Sequence, residues 1–390
     1  MAAQPIFSFD SFHGAPGITH VCAAGETLPL KAQNNALTKY MNDKSAGHIG
    51  RGDQTEYLDD VRSLISHAWR VTDKEIGFAP SVADGVSMVL ESLDWNDDEN
   101  VCILKDEFPS LVGPFAFKRQ QKERGLEQGT SGCPELRYYN RGELQHTVNE
   151  KTRLIAVSYV SYYDAARVDL SFYRKIADSI GAILLVDYTQ AAGYAPIDAS
   201  YADFAFSACY KWLLGTTGAA IAYWNQRRQP DWNPITGGWH SLSLGAVRPK
   251  WEHIHIESRK DAMCFSRGNP SHLSIYILRE ALEYLRQWDT RDIEKHVQTL
   301  TTTLLSRLKL KGIHSSTPAT PDQHGASVTV PCERASEIVD EMAKMGVYAW
   351  NGQGRVRFSF HGYNCIKDVD RIMETFPKIW ARFNQISPRI

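Results

Sequence analysis

The feature that most constrains this fold is the alternation of short apolar runs with segments of helical periodicity. Strands that are apolar along their whole length are buried on both faces, and helical crossovers join such strands in parallel. The sequence therefore predicts an α/β fold with a mostly parallel sheet covered by helices on both faces. The predicted strands are Val101–Leu104, Leu136–Tyr139, Leu154–Val160, Ile183–Val186, Phe204–Ser207 and Ala219–Tyr223. The predicted helices are Leu30–Met41, Tyr57–Trp69, Gly85–Leu93 and Leu170–Ile180.

The pattern changes near Ser271, from which point long helices dominate and strands become isolated. This mixture is typical of a smaller α+β domain. Because 390 residues exceed the usual size of one domain, we predict an N-terminal arm over 1–30, a large domain over 31–275 and a small domain over 276–390. The predicted elements of the small domain are helices at His272–Trp288, Thr290–Leu310, Glu333–Met345 and Lys367–Phe383, with strands at Ala326–Val330 and Arg355–Phe360.

Charge and composition exclude several classes of function. Lys and Arg number 43 against 45 Asp and Glu, so the chain lacks the basic excess that neutralises many phosphates of a nucleic acid. No apolar stretch approaches the ~20 residues of a membrane helix, and the N-terminus lacks the basic region of a secretory signal. Seven scattered cysteines without a Cys-x-x-Cys pair indicate reduced thiols. We therefore expect a cytoplasmic protein without nucleic-acid or membrane partners.

Metal binding is not expected. His253 and His255 alternate in the sequence, but no third residue is spaced as a zinc site would require.

The segment 182–220 carries the residues that suggest chemistry. One predicted strand ends at Asp187, a second reaches Ser207, and Lys211 follows beside Tyr210. In an open α/β sheet, ligands bind outside the carboxyl ends of the strands, so these side chains are expected to converge on one crevice.

A lysine, a carboxylate and a hydroxyl in one crevice suit pyridoxal phosphate. The lysine amine forms a Schiff base with the cofactor aldehyde, and an aspartate keeps the ring nitrogen protonated. Main-chain N–H groups at the start of a helix can hold the phosphate, and the predicted helix start includes Val82 and Ala83.

The same segment resembles the class V aminotransferases of PLP fold type I, which include cysteine desulfurases, isopenicillin N epimerase-like proteins and kynureninases. VDYTQ at 186–190 and DFAFSACYK at 203–211 match the family's cofactor motifs. The resemblance implies a seven-stranded type of sheet in the large domain, with Lys211 as the Schiff-base lysine and Asp187 at the ring nitrogen. It also implies Gln190 near the phenolic oxygen.

Two cofactor contacts differ from the usual family pattern. The family's phosphate serine matches Ala208, so Ser207, one residue earlier, is our phosphate candidate. Tyr210 occupies the position at which desulfurases usually have His and looks like the kynureninase version.

Three further motifs extend the resemblance. DEFPSL at 106–111 places Phe108 where the family stacks a residue on the pyridine ring. FSRGNPS at 265–271 resembles the segment that reaches the phosphate from a second subunit, which implies a homodimer in which Asn269 makes this contact. RVRFSFHGYN at 355–364 resembles the strand whose arginine binds the substrate α-carboxylate, and that arginine is Arg357.

One departure bears on the reaction. Desulfurases carry a nucleophilic cysteine on a loop before this arginine strand, but residues 346–354 contain none. We therefore expect a PLP-dependent enzyme that forms a Cα carbanion of an amino acid and acts as a lyase, possibly on a carbon–sulfur bond, without a protein persulfide. Tyr162 and His361 are the candidate acids for the leaving group. Transamination, epimerisation, decarboxylation, carbon–carbon bond-forming cyclisation and an inactive binding module remain alternatives.

Overall fold

The computed structural model describes residues 4–125, 132–243, 252 and 256–384. Its strands are β1 (Thr19–His20), β2 (Ile76–Ala79), β3 (Asn100–Leu104), β4 (Glu135–Tyr139), β5 (Thr152–Ser158), β6 (Ile183–Asp187), β7 (Phe204–Ala208), β8 (Ala220–Trp224), β9 (Ser327–Pro331), β10 (Val347–Tyr348), β11 (Trp350–Gly352) and β12 (Arg355–Ser359). Its helices are α1 (Gln33–Ser45), α2 (His48–Trp69), α3 (Val82–Glu91), α4 (Pro109–Glu123), α5 (Leu144–Thr147), α6 (Leu170–Ile180), α7 (His272–Leu285), α8 (Thr290–Leu310), α9 (Ala335–Lys344) and α10 (Ile366–Asn384).

A seven-stranded sheet with the order β2-β8-β7-β6-β5-β3-β4 forms the centre of the protein. Neighbours from β4 to β7 run parallel, whereas β8 is antiparallel to both β7 and β2. The predicted α/β fold with a mostly parallel sheet is therefore confirmed. Because β5, β6 and β7 run in the same direction, their last residues, Ser158, Asp187 and Ala208, lie at one edge of the sheet.

Both faces of the sheet are covered, as β6 illustrates. Leu184 and Val186 point into the cluster that contains the buried face of α6, whereas Ile183 and Leu185 point into the cluster formed with α3 and α4. Burying one such side chain contributes about 1.5–3 kcal/mol. Continuous apolar runs are therefore favourable on these central strands, since neither face meets water.

The structure differs from the sequence prediction at several elements: the short elements β1, β10, β11 and α5 were not predicted, and three longer ones also differ. Strand β2 was not predicted, and it contains Gly77 because the carbonyl of Ala262 approaches so closely that a Cβ there would lie 1.9 Å from its oxygen. Helix α2 begins well before the predicted Tyr57. Helix α4 was not predicted because Pro114, normally a helix breaker, lies inside it.

In the C-terminal part, β11, β12 and β9 form an antiparallel sheet that carries Arg357. Helices α8, α9 and α10 pack beside it, whereas α7 packs on α1 and α2. The domain boundary near residue 275 stays a prediction. Among the described residues, no helix combines the length and the apolar character that crossing a bilayer requires.

The N-terminal segment runs along this C-terminal part of the chain. Strand β1 pairs in parallel with β10, with Thr19 opposite Val347. The backbone N–H groups of Ile6 and Phe7 donate to the carbonyl of Gly362 at 2.8 and 2.9 Å. Ile6 and Phe7 are thus fixed beside the segment that follows β12, the strand that carries Arg357.

Candidate active site

A cavity of about 180 Å³ opens at the carboxyl ends of β5, β6 and β7. Its position is the one at which open α/β sheets bind ligands. The cavity is lined by Pro80, Ser81, Val82, Phe108, Ser110, Ser158, Tyr162, Asp187, Thr189, Gln190, Ala208, Tyr210, Lys211, Thr217, Gly218 and Ala219.

Lys211 follows β7 and is buried, with only 5% of the residue exposed. Its Nζ lies 5.5 Å from the ring centroid of Phe108 and 5.4 Å from that of Tyr210. Burial lowers the pKa of Lys211 to about 8, and the positive charge of Arg357 contributes to the lowering. The amine is therefore easier to deprotonate than an exposed lysine, as a nucleophilic lysine requires.

Side chains from other elements hold the backbone around Lys211. The Thr27 hydroxyl donates to the carbonyls of Lys211 at 3.0 Å and Tyr210 at 3.4 Å. The Gln33 amide donates to the carbonyl of Leu214 at 2.6 Å. The lysine segment is thus fixed by residues near the start of the chain.

Asp187 lies at the end of β6 and is buried in the cavity wall. Its Oδ1 accepts from the backbone N–H of Thr189 at 2.8 Å. Burial raises the pKa of Asp187, while the contacts with Thr189 and the charge of Lys211 oppose the rise. Gln190, in the same turn, donates to the carbonyl of Ala24 at 3.2 Å.

Phe108 immediately precedes α4 and projects into the cavity. Its backbone N–H donates to Oε1 of Glu107 at 2.7 Å, and its ring meets the ring of Tyr162 edge to face, with centroids 4.9 Å apart. Glu107 also accepts from Ser158, from the N–H at 2.8 Å and from the hydroxyl at 2.6 Å. Glu107 therefore links Phe108, just before α4, to Ser158, at the end of β5. The sequence did not predict this role.

Burial raises the pKa of Glu107 to about 7, while its hydrogen bonds from Ser158 and Phe108 oppose the rise. No sequence signal distinguished this glutamate from a surface residue, since its three hydrogen bonds involve backbone groups and a residue far along the chain.

The candidate phosphate contacts divide into two groups. Val82, in the first turn of α3, lines the cavity, and Ala83 follows it in the same turn without lining the cavity. Ser207 does not line the cavity: its hydroxyl donates to the carbonyl of Ala208 at 3.3 Å, and the residue is fully buried. Because side chains alternate across a strand, Ala208 faces the cavity instead. We therefore do not assign a phosphate contact to Ser207.

Other hydroxyl side chains replace Ser207 in the cavity wall. Thr189, Thr217 and Ser110 line it, and sequence reasoning did not select them. The Thr189 hydroxyl accepts from the backbone N–H of Ala208 at 2.9 Å, which joins the ends of β6 and β7.

Arg357 is almost completely buried, and its Nη1 donates to the carbonyl of Tyr162 at 3.0 Å. Burial lowers the pKa of Arg357 to about 10, and the nearby charge of Arg355 adds to the lowering. Tyr162 itself lines the cavity, and its hydroxyl donates to Oε1 of Gln353 at 2.9 Å. The predicted carboxylate-binding arginine and the predicted tyrosine acid thus lie together.

The structure does not bring His361 to the cavity. Its ring is fully buried, Nε2 bonds to the carbonyl of Trp212 at 2.9 Å, and Nδ1 accepts from the N–H of Gly362 at 2.9 Å. Burial lowers the pKa of His361 to about 3, so the ring is neutral, and its single N–H is held by the carbonyl of Trp212. We correct the prediction: His361 positions the segment after Lys211 and is not an acid for the leaving group.

Asn269 lines a second, smaller cavity of about 130 Å³, which shares Pro80, Gly218 and Ala219 with the first. Asn269 does not line the cavity of about 180 Å³ that contains Lys211. Its predicted contact from a second subunit stays a prediction. The predicted absence of a zinc site involved His253 and His255, which lie outside the described residues; within these, no three His, Cys, Asp or Glu side chains cluster as metal ligands.

The residues present fit pyridoxal phosphate. The cavity wall combines a buried lysine, a buried carboxylate, an aromatic ring and several hydroxyl groups, which is the donor set that this cofactor needs. The Nε–H of Arg357 is buried without a hydrogen-bond partner, as expected of a donor that awaits a ligand anion.

Comparisons with known proteins agree with this geometry. The sequence model of the family described as aminotransferase class-V matches residues 29–372. A probable cysteine desulfurase of Methanothermobacter thermautotrophicus is 24% identical over 370 residues, which cover 88% of this chain and 90% of that protein. An uncharacterised aminotransferase of Bacillus subtilis is 25% identical over 298 residues, covering 76% of each chain.

Solved structures show the same fold. A cysteine desulfurase from Thermococcus onnurineus superposes with a TM-score of 0.81 at 17% identity, covering 93% of this chain and 94% of that one. A cystine C–S lyase, C-DES, superposes with a TM-score of 0.83 at 17% identity, covering 94% and 99%. The chain therefore belongs to the class V aminotransferase family and is a pyridoxal-phosphate-dependent enzyme.

Proposed function

We propose that this enzyme is a lyase that eliminates a leaving group from the β- or γ-carbon of an α-amino acid without forming a persulfide on the protein. The observation that carries the proposal is the state of its cysteines. None of the seven forms a disulfide, and six are buried. Burial raises the pKa of Cys22, Cys209 and Cys264 to about 12, so these groups are thiols at neutral pH.

Cys365 is the remaining, partly exposed cysteine, and burial raises its pKa as well. An attacking sulfur must be a thiolate, and reactive cysteines have lowered pKa values. A reaction in which the leaving group departs directly therefore fits this chain better than transfer of sulfur to a protein thiol. The fold likeness to a cystine C–S lyase is consistent with such chemistry.

When bound, pyridoxal phosphate withdraws electron density from the substrate α-carbon and makes its proton acidic. In our proposal, Lys211 holds the cofactor in the resting enzyme and then moves the Cα proton. Asp187 would hold a proton at the ring nitrogen of the cofactor, and Phe108 would pack against its ring. Gln190 would contact the phenolic oxygen, with Tyr210 beside it.

Arg357 binds the α-carboxylate and fixes the Cα–H bond relative to Lys211. Tyr162 donates a proton to the leaving group as the carbon–heteroatom bond breaks. The overall balance is one amino acid and one water giving an oxo acid, ammonia and the protonated leaving group. Asn269 of a second subunit completes the phosphate site in a homodimer, and cysteines that form no disulfide suit a cytoplasmic enzyme.

The test incubates the holoenzyme with cysteine S-conjugates and measures oxo acid, ammonia and released thiol, with no second substrate present. Equal amounts of the three products support the proposal. Product that appears only after an oxo-acid acceptor is added would show an aminotransferase instead. Mass spectrometry that finds sulfur added to a protein cysteine during turnover would refute the persulfide-free mechanism.

Tyr162→Phe tests the acid, with Tyr138→Phe as its control, because Tyr138 is an exposed tyrosine of β4 that does not line the cavity. The first variant should slow elimination of poor leaving groups by about 100-fold and of good ones much less, since general acids contribute about 10²–10⁴-fold. The control should retain activity within about twofold.

A further inference from the structure

Arg355 and Arg357 form a pair of buried guanidinium groups beside the cavity. They lie two positions apart on β12, so their side chains project from the same face of the strand. Only 6% of Arg355 and 5% of Arg357 is exposed. Both donate to the carbonyl of Tyr162, Nη2 of Arg355 at 3.2 Å and Nη1 of Arg357 at 3.0 Å. One backbone carbonyl thus holds two positive charges close together.

Neither guanidinium has an acidic partner among the residues that the structure describes. Elsewhere this chain does pair such groups: Arg174, equally buried, forms an ion pair with Asp203 at 2.6 Å. Asp164 acts on Arg355 electrostatically, but its two oxygens accept from Arg141 at 2.5 and 3.2 Å. Because buried charges without counter-ions are costly, this arrangement indicates a site for anions that the protein does not supply.

Both arginines retain free donors. A guanidinium has five N–H groups. Arg355 uses Nη1 on Gly352 and Gln353 and Nη2 on Tyr162, while its Nε–H has no partner. The Nε–H of Arg357 is likewise unpartnered. The Nε edge of a guanidinium is suited to a carboxylate, which it can bind through two parallel hydrogen bonds.

The two groups differ in their distance from Lys211. The carbonyl of Phe360 accepts from the indole of Trp212 at 3.0 Å, so the end of β12 is anchored beside the lysine. Arg357 is nearer to that end, and its charge acts on Lys211. Arg355 is two residues further away, a separation of about 7 Å along a strand. One α-carboxylate bound at Arg357 therefore leaves Arg355 available to a second group.

The surroundings of Arg355 suit a substrate side chain. Its guanidinium stacks on the rings of Tyr162 at 5.2 Å and Tyr163 at 4.4 Å, which hold it in a fixed orientation. Glu26 is exposed, and its charge acts on Lys211 and Tyr210. The charge around the two arginines is thus positive.

We propose that Arg355 binds a second anionic group of the substrate, a carboxylate on the side chain, while Arg357 binds the α-carboxylate. The inference rests on the function proposed above and narrows its substrates to amino acids with an acidic side chain. In an elimination, the leaving group carries this carboxylate, as in a cysteine conjugate with a carboxyalkyl substituent.

The test measures binding of amine-free acids to the holoenzyme by titration calorimetry at constant ionic strength. Glutarate carries two carboxylates, and pentanoate has the same chain length with one. Glutarate should bind about 10- to 100-fold more tightly, since hydrogen bonds to a charged group are worth roughly that factor. Equal affinity of the wild type for the two acids would overturn the proposal, whatever the variants do.

Arg355→Gln should reduce the glutarate affinity to that of pentanoate and leave pentanoate binding within about twofold. Arg357→Gln should weaken both acids, and Arg371→Gln, which changes a partly exposed arginine of α10, should change neither. If Arg355→Gln weakened both acids equally, the two arginines would bind one carboxylate, and the proposal would fail. Because these ligands do not react, a preference for glutarate without elimination activity would refute the proposed reaction and retain the anion site.

Discussion

Replacing Lys211 with methionine should stabilise the cofactor-free protein, because the wild type buries a positive charge without an ion pair. Burial lowers the pKa of Lys211 from the ordinary 10.5 to about 8. One pKa unit corresponds to about 1.36 kcal/mol, so the folded state is destabilised by ~3 kcal/mol whenever the amine is charged in both states. Lys211→Met removes this penalty and keeps a similar volume.

The sign of the pH dependence follows from linkage. Between pH 8 and 10.5 the unfolded chain binds the proton more strongly than the folded protein does, so the stability of the wild type rises with pH. The advantage of Lys211→Met should therefore be ~3 kcal/mol at pH 7 and fall to about 1 kcal/mol at pH 10.

The assay is urea denaturation of both proteins, stripped of pyridoxal phosphate, at pH 7 and pH 10. Lys175→Met, on the exposed face of α6, is the matched control and should change the free energy of unfolding by less than about 0.5 kcal/mol. The reasoning is refuted if the wild type and Lys211→Met are equally stable at pH 7, or if the difference grows at pH 10.

Three further changes test other buried groups. The stability of the wild type relative to Glu107→Gln should fall by ~3 kcal/mol between pH 4 and pH 8, because the folded protein releases the Glu107 proton near pH 7 and the unfolded chain near 4.5. His361→Phe should cost about 2 kcal/mol at pH 7, since the carbonyl of Trp212 loses its donor. That cost should nearly vanish at pH 5. There the unfolded wild type binds a proton at His361, whereas the folded ring, with a pKa of about 3, stays neutral, so the wild type itself is less stable. Asp203→Asn should cost about 3–5 kcal/mol because Arg174 loses its buried counter-ion and keeps only the exposed carboxylate of Asp178.

Denaturation curves over pH check the first two of these predictions. A constant difference between the wild type and Glu107→Gln across the range would contradict a raised pKa for the carboxyl. A His361→Phe penalty as large at pH 5 as at pH 7 would show that the folded ring accepts a proton. For the ion pair between Arg174 and Asp203, the control is Asp178→Asn, because Asp178 is the exposed partner of Arg174. This substitution should lower the free energy of unfolding by less than about 1 kcal/mol.

Much of the sheet and part of the cavity could be predicted from the sequence, because both depend on local patterns. Apolar runs such as Ile183–Val186 identify strands, and polar residues directly after them must lie at the carboxyl edge. The structure accordingly brings Lys211, Asp187, Gln190 and Phe108 to one cavity. Their individual roles stay predictions.

The sequence prediction failed at residues whose role depends on the direction of the side chain or on partners distant in the sequence. Ser207 is one residue from a cavity-lining position, and the period of two in a strand turns it away. His361 follows the arginine strand, but its ring bonds to the carbonyl of Trp212, far along the chain. Glu107 was missed for the same reason, since its main partner is Ser158. Spacing along the chain does not reveal such contacts.

The pairing of β1 with β10 has a consequence for how the chain folds. Thr19 and its partner, Val347, lie 328 positions apart in the sequence. Such distant pairing must overcome a large loop-closure entropy and forms late in folding. The same arm holds Lys211 through Thr27, so the surroundings of this lysine are completed by a contact between residues 184 positions apart in the sequence.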